Sequence, residues 1–340
     1  MADGHEQLDD IDQQILALVR QRIELLRTLP QRIDDIDPAS RLDWIVKSVV
    51  PDGDVDPQRC RSLLRHVVSL CDAELATRQI AFLGPMHSYS HLAAIKYFGD
   101  AAPLMPEGTI AAVFDAVVRG QASMGIVPVE NSTDGRVVDT LGMFVHNPVN
   151  ICGEVLLPIH HFLLSNSSRD SIAEVYSKPQ ALSQCRTWLS QHLPQAQLKE
   201  ISSTAAAAKL ASQCEGVAAI ASEAAGREYG LKVIAANIED NPNNVTRFAV
   251  LGEQESESTG RDKTALMLQL LHRPGALADV MNVFKQCNLN LTFIESFPMP
   301  SAPNEYLFFV ELEGHKHDQA VVSAIRQLRS HDPTRGAGLF

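Results

Sequence analysis

The sequence predicts a multidomain α and α/β protein: a helical unit, then a two-lobed α/β region, then a small α/β unit at the carboxy end. Three observations carry this. Apolar residues recur at helical spacing up to residue 77; from Arg78 short buried-strand runs alternate with helical stretches; and beyond a polar segment the order becomes βαββαβ. A chain of 340 residues is long for one core and suits two or three domains. The boundaries predicted are 1–77, 78–252, a linker at 253–262, and 263–340.

Leu8, Ile11, Ile15, Leu18, Arg22, Leu25 and Leu29 alternate steps of three and four, the seam of an amphipathic helix with one arginine in it. Pro30 stops that helix. A second is predicted over 38–49 and a third over 56–76, the latter carrying Leu63, Leu64, Val67, Val68, Cys71 and Leu75 on one side. Three such helices complete a core most easily by pairing with a second copy, so a homodimer or higher homo-oligomer is expected.

Ile80-Ala81-Phe82-Leu83 opens the alternation, followed by helices over 89–98, 110–119 and 135–144 and strands over 123–127 and 155–164. The rhythm repeats with a strand at 174–176, helices over 179–191 and 204–213, a strand at 217–221 and a helix over 224–229. Such alternation predicts mostly parallel sheets, and the long crossover near 155–165 predicts two lobes with a ligand cleft between them. After the polar stretch Glu253 to Gly260 come strands at 264–271, 289–296 and 305–312, helices at 275–287 and 318–329, and a short last strand.

The formal charge of −12 opposes the phosphate backbone of nucleic acid, so an anionic ligand must be held by a few placed cations and amides. The start MADGHEQLDDIDQQ lacks a basic, apolar signal-peptide pattern, and no run of eighteen apolar residues occurs, so a cytoplasmic protein that neither spans nor binds a membrane is expected. Six scattered cysteines without metal spacing predict neither disulfides nor zinc.

Four stretches rich in hydroxyl, amide and glycine residues fall where ligands of open α/β sheets bind. They are Gly84-Pro-Met-His-Ser-Tyr-Ser-His91, Pro128-Val-Glu-Asn-Ser-Thr-Asp-Gly135, Ser177-Lys-Pro-Gln-Ala181 and Asn244-Val-Thr-Arg-Phe248. Singly, each also reads as a turn or a helix cap. Together, and in this order, they resemble the prephenate dehydratase family over residues 79–252. Gly84, Pro85, Ser88, Tyr89, Ser90 and His91 meet its first pattern, and Glu130, Asn131, Ser132 and Gly135 its second. Ser177, Pro179, Gln180, Ala181 and Leu182 meet the third, with Cys185 and Trp188 following, and Ser203-Thr204-Ala205 and Thr246-Arg247-Phe248 complete the set. Two departures stand out: His87-Ser88 replaces the usual Gly-Thr, and Lys178 replaces a histidine.

The resemblance implies lobes like those of type II periplasmic-binding proteins and conversion of prephenate to phenylpyruvate, without cofactor or metal. It assigns the proton-donor role to Thr246. Arg247 suits a bidentate carboxylate contact, and Ser88, Tyr89, Asn131, Ser132, Ser177, Gln180, Thr204 and Phe248 complete the expected substrate site.

Residues 263–340 resemble an ACT regulatory domain through Arg273-Pro-Gly-Ala-Leu277 and Asn290-Leu-Thr-Phe-Ile-Glu-Ser-Phe-Pro298, with Phe297 where relatives have arginine. That likeness implies phenylalanine as effector, held by Gly275, Ala276, Leu277, Glu295 and Ser296. The first 77 residues are similar, loosely, to an all-helical chorismate mutase domain as in bifunctional proteins of this pathway. Arg22 and Arg41 match its cationic positions. Its first arginine falls at His5, its lysine near Ile33, its glutamate at Leu42 and its polar pair on the third helix at about Cys71 and Leu75, which implies a weakened mutase.

Two other readings remain open on the sequence: a prephenate decarboxylase that keeps the hydroxyl, for which His87 is the motive, and an amino-acid-binding regulatory protein.

Overall fold

The computed structural model describes residues 2–28, 45–46, 48, 56–75, 79–145, 147, 149–253, 255–256, 258–270, 273–298, 306–330 and 334–339. Helix α1 (Ala2–Thr28) and helix α2 (Pro57–Leu75) match the first and third predicted helices. The second lies largely outside the described residues, and so does Arg41. Leu8, Ile11, Ile15, Leu18 and Leu25 are exposed along α1. Helix α2 docks on the α/β region, with Ser69 fully buried and His66 Nδ1 2.7 Å from Asp100 Oδ1.

Lobe 1 begins with β1 (Ile80–Leu83), α3 (Tyr89–Phe98), β2 (Leu104–Glu107), α4 (Ile110–Val118), β3 (Met124–Asn131), β4 (Gly135–Arg136), α5 (Val138–Met143) and β5 (Asn150–Pro158). The chain then crosses into lobe 2. There lie β6 (Phe162–Ser165), β7 (Glu174–Ser177), α6 (Pro179–Gln184), α7 (Arg186–His192), β8 (Gln197–Glu200), α8 (Thr204–Ala211), β9 (Val217–Ala221), α9 (Glu223–Glu228) and β10 (Lys232–Ala235). It returns through 236–244 to β11 (Val245–Gly252), which closes the lobe 1 sheet in the order β2-β1-β3-β11-β5, with β4 beside β3.

Both sheets are mixed, not mostly parallel. In lobe 1 only the β1–β2 and β1–β3 pairs are parallel, and β11 runs antiparallel to β3 and β5. In lobe 2, ordered β10-β6-β9-β7-β8, β6 runs antiparallel to β9 and β10. The cause is the double crossing, since a strand that enters a lobe from its neighbour arrives against the local direction. The single strand expected over 155–164 is accordingly two strands in two sheets. The helix expected over 179–191 breaks at Cys185, because the Asp240 carboxylate accepts from the amides of Thr187 and Trp188 and so starts a new helix.

The last unit is β12 (Lys263–Leu270), α10 (Ala276–Gln286), β13 (Leu291–Pro298), β14 (Tyr306–Glu313), α11 (Gln319–Ser330) and β15 (Thr334–Leu339), with sheet order β13-β14-β12-β15. Strand alternation divides it cleanly. Leu266, Leu268 and Leu270 pack under the two helices with Val280, Phe284, Val310 and Val321. Ala265 and Met267 face the other way and join Phe309, Leu307, Phe114, Phe144 and Val129 in one core with lobe 1. This sheet therefore covers the back of the lobe 1 sheet, and Phe297 packs into the same junction.

Candidate active site

A cavity of about 860 Å³ opens between the lobes. It is lined from lobe 1 by Tyr89, Asn131, Asp134, Thr246 and Phe248 and from lobe 2 by Lys178, Gln180, Gln184 and Thr204, with His161 on the first crossing. Thr246 and Asn131 are register partners on β11 and β3. That places both at the strand ends that meet the cleft.

Their orientation follows from hydrogen bonds that cannot be reversed. Asn131 Oδ1 accepts from the amides of Thr133 (2.9 Å) and Asp134 (3.0 Å), so its Nδ2 must be the atom that donates to Asn244 Oδ1 (2.8 Å) and to Thr246 Oγ1 (2.8 Å). A lone pair of Oγ1 is thereby occupied and its proton is left to donate elsewhere. Asn244 Nδ2 in turn donates to Gln184 Oε1 at 3.0 Å, and Gln184 Nε2 donates to Asp134 Oδ2 at 2.8 Å.

Burial shapes the titration of the groups beside this chain. It pushes the Tyr89 phenol well up, and the nearby Cys185 and the Glu239 carboxylate add to that. It lowers His161 below the usual imidazole value, against a hydrogen bond to Gln184 and the nearby Glu239 and Asp134 carboxylates. Glu239 holds the crossing, with Oε2 accepting from the His161 amide at 2.8 Å and Oε1 lying 2.8 Å from His160 Nδ1.

Arg247 is not where the sequence places it. On a strand, neighbours face opposite sides, and Arg247 turns away from the cavity that Thr246 and Phe248 line. Its Nη1 lies 2.7 Å from Glu311 Oε1 on β14 and 3.2 Å from Glu154 Oε2 on β5, and its Nε lies 3.3 Å from Glu130 Oε2 on β3. Burial works against its charge, and Glu311 and Glu154 outweigh it, holding its pKa above the usual value. A smaller cavity of about 220 Å³ adjoins this cluster behind the sheet.

Three further expected contacts are spent internally. Ser177 is fully buried and donates to the Ile220 carbonyl at 2.6 Å, so it has no hydroxyl proton to offer the cleft. Ser132 Oγ accepts from the Val245 amide and donates to the Asn243 carbonyl, pinning the start of β11. Ser88 caps α3 by accepting from the His91 amide and donates to the Leu83 carbonyl. Tyr89, Asn131, Gln180, Thr204, Thr246 and Phe248 do meet at the cavity.

His87 takes a left-handed φ of 64°, a region that favours glycine. It does not line the cavity. Its ring lies 5.3 Å from that of His91 and 6.2 Å from that of Tyr229, its Nε2 lies 3.7 Å from Glu228 Oε2, and its carbonyl accepts from Ser222 Oγ at 3.2 Å. It therefore joins the lobes beside the cleft. At the last unit, Gly275 precedes α10 with φ 81°, and Glu295 pairs with Arg136 at 2.9 Å. His161 and Gln184 were missed by sequence reasoning, the available signal being a histidine inside an apolar run and a polar residue on a buried helix side; Asp134 and Asn244 fall in the stretches singled out but were given no role.

Comparison with known proteins agrees with this architecture. Residues 80–256 match the prephenate dehydratase family and residues 264–330 match the ACT domain. A bifunctional chorismate mutase/prephenate dehydratase of Aquifex aeolicus is 37% identical over 340 residues, covering 95% of this chain and 92% of the relative. The crystal structure of a prephenate dehydratase in complex with L-Phe from Arthrobacter aurescens is 32% identical with a TM-score of 0.69, covering 76% of this chain and 89% of that one. The structure of GqqA, described as a novel type of quorum quenching acylase, is 25% identical with the same TM-score of 0.69, covering 77% of this chain and 96% of that one. Fold and site together define a two-lobed α/β enzyme with an attached ligand-sensing domain. The chain belongs to the bifunctional chorismate mutase/prephenate dehydratase family, whose dehydratase and ACT domains it carries.

Proposed function

We propose that the interlobe cleft carries out the family's prephenate dehydratase reaction with Thr246 as the proton donor. The supporting observation is the bond from Asn131 Nδ2 to Thr246 Oγ1, which occupies an acceptor site and leaves the hydroxyl proton free for the substrate. In the reaction the ring carboxylate leaves as CO2, the electrons of that bond aromatise the ring, and the 4-hydroxyl leaves as water once protonated. Aromatisation drives the step, so the protein mainly protonates and orients.

The cations lining the cavity are Lys178 and Arg136, and Arg136 is already paired with Glu295. Lys178 is therefore the residue we assign to a substrate carboxylate. Identifying the product by mass spectrometry after incubation with prephenate tests the reading: phenylpyruvate is expected, and a non-aromatic product that retains the hydroxyl would replace it with decarboxylation.

The ACT domain is assigned to phenylalanine sensing through Gly275, Ala276, Leu277, Glu295 and Ser296, and calorimetric titration with L-Phe tests this. The helical unit is assigned as a weakened chorismate mutase. Arg22 supports an anion-binding remnant, with a buried Nη1 that lacks a hydrogen-bond partner. Following chorismate loss beside an active mutase decides it, and turnover within tenfold of that control is the result that refutes weakening. The exposed apolar side of α1 supports a homodimer, which light scattering measures. Among the described residues no helix is long and apolar enough to cross a membrane, and the cytoplasm is the compartment proposed.

A further inference from the structure

The reading of Thr246 as proton donor leaves one buried, titratable group in the cleft without a task. His161 is 2% exposed, lines the cavity, and sits on the crossing between the lobes. Its Nε2 lies 2.7 Å from Gln184 Oε1, and its Nδ1 lies 2.9 Å from the Tyr89 hydroxyl.

The proton on Nε2 is dictated from far away. Backbone amides of Thr133 and Asp134 fix Asn131, Asn131 fixes Asn244, and Asn244 Nδ2 requires the oxygen of Gln184 to face it. The Asp134 carboxylate fixes Gln184 independently from the other end, because it can accept only from Nε2. Gln184 Oε1 thus faces both Asn244 and His161, and only a protonated His161 Nε2 can satisfy it. The amides of the chain are thus each paired in one sense, while the single Tyr89 hydroxyl proton is shared between the His160 carbonyl at 2.7 Å and His161 Nδ1 at 2.9 Å.

We propose that His161 is a positioning residue for the dehydratase reaction. The backbone amides fix the orientation of the side-chain amides; His161, through its bond to Gln184, fixes the position of Gln184 and Asn244, against which the Asn131 that donates to Thr246 Oγ1 is held. The inference rests on the assignment of Thr246 as donor. His161 itself transfers no proton, since amides separate it from Thr246. Its anchoring is suited to this task. The Tyr89 hydroxyl of lobe 1 meets both the His160 carbonyl and His161 Nδ1, Glu239 holds the His161 backbone amide from the returning crossing, and Gln184 meets Nε2 from lobe 2.

The test is steady-state kinetics of the full chain with prephenate. His161→Phe keeps the ring and removes both nitrogens. It is expected to lower kcat roughly 10- to 100-fold, the scale of a small misplacement of a reacting group, with KM changed less than about threefold. His161→Gln, which can offer an N–H near the position of Nε2, is expected to restore most of the loss. In a Thr246→Ala background His161→Phe should lower kcat no further, because it acts through a hydroxyl that is no longer there.

Gln184→Leu removes the middle link while leaving every residue of the two crossings unsubstituted, and it is expected to reproduce both results if His161→Phe proves too unstable to assay. Losses that multiply in the double variant, a change confined to KM, or an unchanged kcat in His161→Phe or in Gln184→Leu would overturn the inference. If Thr246→Ala itself keeps full kcat, the donor assignment fails, which is a different result from a failure of the positioning role alone.

Discussion

Arg247 Nη1 lies 2.7 Å from Glu311 Oε1, joining the strand that carries Thr246 to the middle of the regulatory sheet. Both side chains are nearly buried, at 12% and 7% exposure, so removing one strands the other in a poor dielectric. Breaking a buried pair typically costs about 3–5 kcal/mol, and Glu154 and Glu130 remain to share the charge here. Glu311→Ala should therefore lower the free energy of unfolding by about 2 kcal/mol, measured by denaturant titration. Arg247→Lys should leave KM for prephenate within about twofold, the reverse of what a substrate carboxylate contact requires.

Lys178 carries the opposite expectation. It lines the cavity at the start of α6 and is exposed, so its loss should not disturb the fold. Lys178→Met should raise KM for prephenate roughly tenfold with kcat reduced much less, the pattern of lost uniform binding. An unchanged KM would remove it from the substrate site.

His91 gives the pH dependence a sign. Burial, aided by the neighbouring His87, lowers its pKa from 6.5 to about 4. Its Nδ1 accepts from the His87 amide at 3.1 Å, a bond that a proton on that nitrogen would end. The folded state thus refuses a proton that the unfolded chain takes. Stability should be full above about pH 6.5 and fall as the pH drops to about 4, by about 3 kcal/mol in all at about 1.4 kcal/mol per unit. His91→Asn, which keeps an acceptor and cannot be protonated, should flatten that slope in thermal unfolding followed across this range.

Gly99 is the contact point for the helical unit. Its φ is 95°, and an added Cβ would sit 2.5 Å from the Cβ of Ser69 on α2. Gly99→Ala should destabilise the docking of α2 by about 1–3 kcal/mol, through both backbone strain and the clash. Limited proteolysis should show earlier cleavage within 57–75, with prephenate turnover retained.

The order of helices and strands in the last unit was legible because apolar runs of strand length are interleaved with helical stretches; both faces of those strands are buried, Leu266 under the helices and Met267 against lobe 1. The cleft residues Asn131, Gln180 and Thr246 were legible through family motifs. Arg247 was not, because the stretch 244–248 reads as a loop after a strand when it forms one, and only strand parity separates Arg247 from Thr246. Ser177 could not be judged at all, since its partner is the carbonyl of Ile220, 43 positions away. Direction in the sheets was hidden for a similar reason. Nothing local at His160-His161 shows that the chain changes lobe there, and the carboxylate that holds the turn comes from Glu239.

The lobes are joined by two chain crossings, 159–161 and 236–244, and a pair of attachments defines an axis as two hinges define that of a door. Points on an axis travel least. His161 and Asn244 belong to the crossings themselves, so a swing of one lobe would leave their bonds to Gln184 nearly unmoved. The interlobe contacts away from the crossings, Ser222 Oγ on the His87 carbonyl, Glu228 near the His87 ring and Gln184 Nε2 on Asp134 Oδ2, act as the latch and would have to part in such a swing. Substrate entry and product exit would then leave the reacting geometry assembled from one turnover to the next, with the reorganisation borne by the latch.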